Sequence, residues 1–279
     1  MTSAPLPHDP LWPRAGGWPA PDDGPGADLA LLGVPTWRTS LSPTGAHATP
    51  AAVRDALRRY SPALVSGPSG PVDLGALALV DHGDVPEPDG DEGEARTRAA
   101  VAAALERATA LVALGGDNSL TVATALGAWG DDLPTAGLVT LDAHYDLRDG
   151  VSNGSPVRRL VEAGLDPERV VQIGIADFAN SAAYARRARD LGITVVTVDE
   201  LRRRGAGSLD DVVGEALEIA GAAGGPVHLD VDVDVCDRSV APGCPASVPG
   251  GLAAWELRTL VRAAASDPRV RSVDLAEVD

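Results

Sequence analysis

Short runs of β-branched and aliphatic residues alternate with Ala-rich stretches along nearly the whole chain, and this alternation constrains the fold more than any other feature. Residues 111–114 and 170–173 are apolar at almost every position rather than at every second one. Such runs belong to strands covered on both faces, as parallel strands are. Strands are read at 28–34, 76–81, 110–114, 136–142, 169–175, 193–198, 226–232 and 270–275. Helices are read near 50–60, 94–109, 120–129, 156–164, 181–191, 208–222 and 253–265. Strands that alternate with helices specify one open sheet with helices on both sides. The 279 residues suffice for one such domain, placed at 28–279 behind an irregular Pro/Gly-rich arm at 1–27. The acidic stretch 83–95 reads as a surface loop with solvated charges.

Composition narrows the partners. Aromatic residues make up only 3%, so the core is filled by small aliphatic side chains. With 40 acidic and 23 basic residues the formal charge is −17, a field that repels nucleic acid and favours cations. The two cysteines, Cys236 and Cys244, are too few for a disulfide scaffold and read as structural thiols beside a Pro-Gly turn. The first residues lack an apolar targeting core, and no apolar run approaches membrane-spanning length, which predicts a cytoplasmic protein.

The chemistry sits where strands end. Gly115-Gly116-Asp117-Asn118-Ser119 follows one strand and Asp142-Ala143-His144-Tyr145-Asp146 another. A third strand runs into Asp230-Val231-Asp232-Val233-Asp234, and the last ends at Glu277. In open parallel sheets ligands bind outside the carboxyl ends of the strands, so the four clusters converge on one crevice. The period-2 spacing of residues 142, 144 and 146, and of 230, 232 and 234, would point each set to one face of an extended chain. So many carboxylates in one place require cations. Carboxylates with one imidazole suit Mn²⁺ or a similar ion, and four or more suggest two ions about 3.5–4 Å apart. Either run alone has a blander explanation, a loop cap or a calcium loop. The valines between the later aspartates and the missing glycine argue against calcium.

These motifs, with Ala241-Pro242-Gly243 and the terminal Ala276-Glu277-Val278, resemble the arginase and agmatinase (ureohydrolase) superfamily over roughly residues 28–279. Ser152-Asn153-Gly154-Ser155-Pro156-Val157-Arg158, the segment 170–197 and the segment 241–252 are similar to its formimidoylglutamase branch. The resemblance implies a three-layer α/β/α fold with a mostly parallel eight-stranded sheet, and two Mn²⁺ ions. Asn118, Asp142, Asp146 and Asp232 would hold the first ion, and Asp142, His144, Asp232 and Asp234 the second. Asp230 would support them from behind. Asp146, Glu277 and His144 would form the catalytic group, with Asp146 relaying a proton and Glu277 holding the amidinium. The implied reaction is hydrolysis of N-formimidoyl-L-glutamate to L-glutamate and formamide. Trimers or hexamers are common in the family, whose members continue past the Ala-Glu-Val motif into a further helix.

Two positions depart from the wider family. Asn118 stands where it usually has a metal-binding His, which predicts a first metal site that is weak or empty. Asn153 stands where arginases carry a proton-shuttling His, and marks the formimidoylglutamase branch. Arg148, just past the Asp-His-Asp run, and Arg158 are read with Asn153 as substrate-binding residues, because a guanidinium matches a carboxylate in fork geometry. His8, His47 and His82 are read as non-ligands, and His228 as a strand residue packed near the sheet. Two other functions remain open: a guanidino-acid hydrolase or agmatinase, separable by release of urea rather than formamide, and a catalytically silent relative, suggested by Asn118.

Overall fold

A computed structural model describes residues 9–66 and 70–279; His8 lies outside them. Beside a short antiparallel pair, Ala63–Leu64 with Val72–Asp73, the strands are β1 (Ala27–Val34), β2 (Leu79–Asp84), β3 (Ala108–Gly115), β4 (Gly137–Leu141), β5 (Val170–Ile175), β6 (Thr194–Thr197), β7 (Val227–Asp232) and β8 (Val270–Ala276). They form one 8-stranded sheet in the order β2-β1-β3-β8-β7-β4-β5-β6. Every neighbouring pair in it is parallel. The described residues form eight α-helices, α1 (Thr49–Leu57), α2 (Gly90–Arg107), α3 (Leu120–Trp129), α4 (Pro156–Ala163), α5 (Ala182–Leu191), α6 (Val198–Arg204), α7 (Leu209–Ala220) and α8 (Ala254–Ala264). None of them is long and apolar enough to cross a membrane.

Strand pleating divides the core. Odd-numbered residues of β4, β5 and β7, among them Leu141, Ile173 and Leu229, pack against α6, α7 and α8. On the opposite face, α3, α4 and α5 cover Leu138 and Val170, while α2 covers Ala30, Leu32 and Leu111. Helices thus close both faces, which is why the strands read as continuous apolar runs. The face beneath α3 is nevertheless polar at its centre. His228 on β7 contacts Ser272 Oγ at 2.7 Å and Asp274 Oδ2 at 3.0 Å, and Thr124 of α3 donates to the same Asp274 oxygen at 2.6 Å. His228 is therefore a strand residue in the sheet, as its sequence context predicts, and is fully buried.

Among the boundaries that differ from the sequence reading, three have a clear local cause. The second strand begins at Leu79 rather than 76, because Asp73 accepts a hydrogen bond from Gly75 N and winds Leu74–Ala76 into a single 3-10 turn. The acidic stretch 83–95 is a loop only in part. Its last residues start α2, and Asp91 and Glu92 occupy the first helical turn, where the helix dipole favours negative charge. Residues after Thr197 form α6 instead of ending a strand. The Thr197 side chain accepts from Glu200 N, an N-cap in a Thr-x-x-Glu pattern.

Leu229 sits at the middle of the central strand β7 with none of its surface exposed. Leu229→Ala should lower unfolding free energy by about 3 kcal/mol, through lost burial and the cavity left behind. Chemical denaturation checks this; a midpoint within error of the parent would contradict the packing described.

Candidate metal centre

The carboxyl ends of β3, β8, β7 and β4, four adjacent central strands, carry the acidic and amide side chains that the sequence singles out. After β3 the chain passes through Gly116, where a Cβ would fall 1.9 Å from Thr36 O, so only glycine lets the two loops approach. Gly116 N donates to Val34 O, Asp117 N to Thr36 O, and Glu277 N to Gly116 O, which ties the ends of β1, β3 and β8 together.

The two acidic runs converge by turning where their strands end. Asp142 lies just past the end of β4, and its Oδ1 accepts from His144 N at 2.6 Å, folding the chain back at once. Asp232 does the same at the end of β7: its Oδ1 accepts from Asp234 N at 2.8 Å and Val233–Val235 form a 3-10 turn. Asp146 and Glu277 are reached through left-handed backbone, with φ of 53° and 60°, a conformation rare outside glycine. The extended, one-face arrangement expected for residues 142, 144 and 146 is thus replaced by a turn, while that of the later run holds for Asp230 and Asp232 within β7 and is lost only at Asp234. The side chains meet because the turns face one another across the sheet, and Ala143 N donates to Asp234 Oδ1 at 3.1 Å.

The result is a dense group of buried ionisable side chains. His144 Nδ1 lies 2.7 Å from Asp234 Oδ2 and 3.6 Å from Asp142 Oδ1. These three residues have ligand atoms close enough together to hold one cation. Asp142, Asp146, Asp232 and Asp234 are all buried. Burial, reinforced by Asp234, pushes Asp142 up to about 7. Burial and then Asp142 raise Asp146, and burial and then Asp234 raise Asp232, both well above the ordinary carboxylate value. Burial disfavours the His144 imidazolium, yet hydrogen bonds to Asp142 and Asp234 outweigh it and push its pKa up to about 11. Asp142 Oδ2 is buried with no hydrogen-bonding partner among the described residues. Carboxylates that strain against one another, one imidazole and an orphaned oxygen are the donor set a divalent cation completes.

Asn118 stands at the edge of this group with its amide fully employed. Its Nδ2 donates to Asp146 Oδ2 at 2.6 Å and its Oδ1 accepts from Thr121 Oγ at 2.8 Å. To offer an oxygen to a cation the amide must turn over, which the Thr121 hydroxyl tolerates because it can accept as well as donate. Asp230 lies one strand step below Asp232, beside Asp274 in the register and fully buried. Burial first, and Asp274 next, raise its pKa well above the ordinary value.

A cavity of about 320 Å³ opens onto the group. His144, Asp146, Asp232, Asp234 and Glu277 form its floor, and Arg148 and Asn153 line it further out. Glu277 Oε1 accepts from Asn118 N at 2.9 Å and Asn153 Nδ2 at 2.8 Å, and burial pushes its pKa up to about 7. Asn153 Oδ1 in turn accepts from Leu41 N at 3.1 Å, so it links Glu277 to a loop after β1. Arg158, read from the sequence as a substrate contact, does not line the cavity. Its guanidinium is turned outward onto Arg148 O, Gly150 O and Glu162, because the first turns of α4 carry it alongside that loop. Asn180 and Tyr184 line the cavity and escaped the sequence reading. Asn180 donates to Ala143 O at 2.8 Å and accepts from Tyr145 N at 3.1 Å, bracing the Asp-His-Asp turn from the loop after β5. The signal was an Asn one residue ahead of the Ser181 N-cap, too common a pattern to stand out. His47 stacks near Trp37 and His82 lies on β2, neither among the residues lining the cavity. Cys236 and Cys244 are free and buried, and burial pushes their thiols up to about 11 and about 12, as suits structural residues.

The fold and this site have close parallels among known proteins. The family model described as "Arginase family" matches residues 27–279. Formimidoylglutamase of Halalkalibacterium halodurans is 34% identical over 269 residues, covering 93% of this chain and 82% of that protein. The crystal structure of formimidoylglutamase from Bacillus subtilis superposes with a TM-score of 0.89 at 30% identity, covering 100% of this chain and 88% of that one. Formiminoglutamase of Trypanosoma cruzi, solved with Mn²⁺, gives a TM-score of 0.80 at 26% identity, covering 91% of this chain and 86% of that one. With the eight-stranded parallel sheet, the acidic centre at its carboxyl end and a family match from the first strand to the last residue, the chain belongs to the arginase family.

Proposed function

We propose that this protein hydrolyses the C–N bond between the formimidoyl carbon and the amine of N-formimidoyl-L-glutamate, yielding L-glutamate and formamide. The observation that carries this reading is the charge layout of the cavity. Its floor is anionic, formed by Asp146, Asp232, Asp234 and Glu277, and Arg148 stands on the outer wall. Arg148 is exposed and makes no side-chain ion pair among the described residues. A substrate with an amidinium at one end and carboxylates at the other meets opposite charge at both ends. Agmatine, cationic at both ends, meets like charge at Arg148.

Asn118, Asp142, Asp146 and Asp232 would hold one Mn²⁺, and Asp142, His144, Asp232 and Asp234 a second. Bound there, the ions neutralise the carboxylates and supply an acidified water for attack. The protein's own residues do the rest. Glu277, fixed through Oε1 by Asn118 N and Asn153 Nδ2, receives the amidinium nitrogens. Asp146, buried at the floor, takes the proton of the attacking water and passes it to the departing amine, whose bond to carbon breaks. Water adds to the formimidoyl carbon, so atoms balance as one formamide and one glutamate. A cytoplasmic homo-oligomer, a trimer or hexamer, completes the proposal.

Assays with added Mn²⁺ test the substrate. Formimidoylglutamate should release formamide, and arginine, agmatine and guanidinobutyrate little or no urea; the reverse ranking sinks the assignment. Arg148→Ala should raise KM for formimidoylglutamate about 10- to 100-fold with little change in kcat, a loss of charged hydrogen bonds. Unchanged kcat/KM would refute its role.

Asn118 predicts an unequal pair of ions. After dialysis, elemental analysis should find close to one ion per chain, and Asn118→His should bring the count toward two. Two ions retained by the parent protein would overturn this.

Stripping the metal should make stability fall as pH rises. Without cations Asp142 and Glu277 titrate at about 7 when folded, against roughly 4 in an unfolded chain. Between those values the folded state binds more protons, so its stability drops with rising pH. His144, raised to about 11, adds to the drop above its unfolded value of about 6.5. Scanning calorimetry should show the Tm gap between Mn²⁺-loaded and chelator-treated protein widening by about 5 °C or more from pH 5 to pH 8. A gap independent of pH would contradict the electrostatics.

A further inference from the structure

The loop that carries Arg148 is gripped from two helices. Among the described residues lining the cavity, Arg148 is the one arginine or lysine. Its own backbone is pinned on both sides: N donates to Gly154 O at 3.0 Å and O accepts from Arg158 Nε at 2.6 Å. Arg158, on α4, also donates through Nη2 to Gly150 O, and its backbone N donates to Asp146 O at 3.2 Å. Arg187, on α5, donates through Nη1 to Leu147 O at 2.6 Å and to Asp149 Oδ1 at 2.8 Å. The carbonyls of residues 146, 147, 148 and 150 are thereby all taken by two arginine residues that do not line the cavity. Gly154 completes the seat, since a Cβ there would fall 2.7 Å from Arg148 Cδ.

Surface arginines that merely solubilise a protein pair with acids or face water. Each of these two pairs with an acid, Arg158 with Glu162 and Arg187 with Asp149. Yet their guanidinium groups also donate to the carbonyls of residues 147, 148 and 150 of one loop, and a planar guanidinium with several N–H groups can hold two carbonyls at once. A loop fixed before binding spares the substrate the cost of ordering it. We propose that Arg158 and Arg187 are positioning residues that preset Arg148 for the carboxylate of the substrate, so that selectivity for an anionic tail resides in this clamp as well as in Arg148. The proposal rests on the carboxylate-binding role of Arg148 given above.

Arg187→Met and Arg158→Met test it, with Mn²⁺ content and far-UV circular dichroism confirming the folded enzyme. Arg187, 37% exposed on the helix surface, carries the test alone if the Arg158 variant fails to fold. Each variant should raise KM for formimidoylglutamate about tenfold with kcat within about twofold, and weaken L-glutamate binding, measured by calorimetry, by a similar factor. Hydrolysis of an N-formimidoyl alkylamine with an uncharged tail should not change. Arg158→Lys should recover little, since an ammonium cannot span two carbonyls in fork geometry. In an Arg148→Ala background neither substitution should weaken glutamate binding further. Equal losses in that background, or on the uncharged amidine, overturn the clamp, as does a parent protein whose glutamate affinity ignores Arg148. A parent protein that binds glutamate through Arg148 yet leaves formimidoylglutamate intact removes the substrate assignment, and the glutamate affinities of the variants then decide the clamp.

Discussion

Burying Asp142, Asp146, Asp232 and Asp234 at one end of a sheet sets like charges against each other in a place where water cannot screen them. The surrounding structure is organised to hold that repulsion. Two strands end in side-chain-capped turns that fold the carboxylates inward, and two residues occupy left-handed backbone that only a firmly packed surround maintains. Asn118 bonds to Asp146 and His144 to Asp234, so two local donors are spent on the acids. Even so, Asp142 keeps an unpartnered oxygen. The arrangement makes physical sense as a receptacle for cations, which convert mutual repulsion into shared ligation.

The polar file beneath α3 extends the same logic into the core. Asp230, Asp274, His228 and Ser272 lie on one face of β7 and β8, directly behind Asp232. Buried polar networks are costly unless satisfied, and this one is satisfied only in part. His228 and Thr124 hold Asp274 Oδ2, while both Asp230 oxygens and Asp274 Oδ1 have no partner among the described residues. Fixed groups of this kind behind a ligand limit how far it can move when a cation arrives or leaves. A purely apolar core would pack as densely, but it would not orient the carboxylate in front of it.

Much of this architecture was legible in the chain. The eight strands of the main sheet were visible, most plainly β4 and β5, because burial on both faces leaves continuous aliphatic runs. The edge strand β2, Leu-Val-Asp-His-Gly-Asp and only partly buried, was placed three residues early. The helix Val198–Arg204 was not visible, since its β-branched start continues a strand pattern and only the Thr197–Glu200 cap marks the change. The acidic motifs identified the site, and spacing gave the right local geometry for Asp230 and Asp232 but not beyond the strand ends. Period-2 spacing implies an extended chain only while the strand lasts, and Asp142 lies past the end of its strand. The left-handed backbone of Asp146 and Glu277 could not be foreseen, because nothing in a non-glycine side chain announces it. Contacts such as Leu41 N to Asn153, 112 residues apart, exist only once the sheet has brought two loops together.

Arg158 shows why residue type alone misleads at the edge of such a site. An arginine near an expected carboxylate ligand reads as a direct contact, and chemically it would serve. The carbonyls of the 146–150 loop offer it an equally good match that is present whether or not substrate is bound. That loop bears one cation toward a cavity whose floor is acidic, and left loose the cation would fold inward onto the floor and neutralise it. Holding its backbone from outside keeps positive and negative ends of the cavity apart. The separation of charge that suits a substrate cationic at one end and anionic at the other is thus supported by hydrogen bonds from two arginines that do not themselves line the cavity.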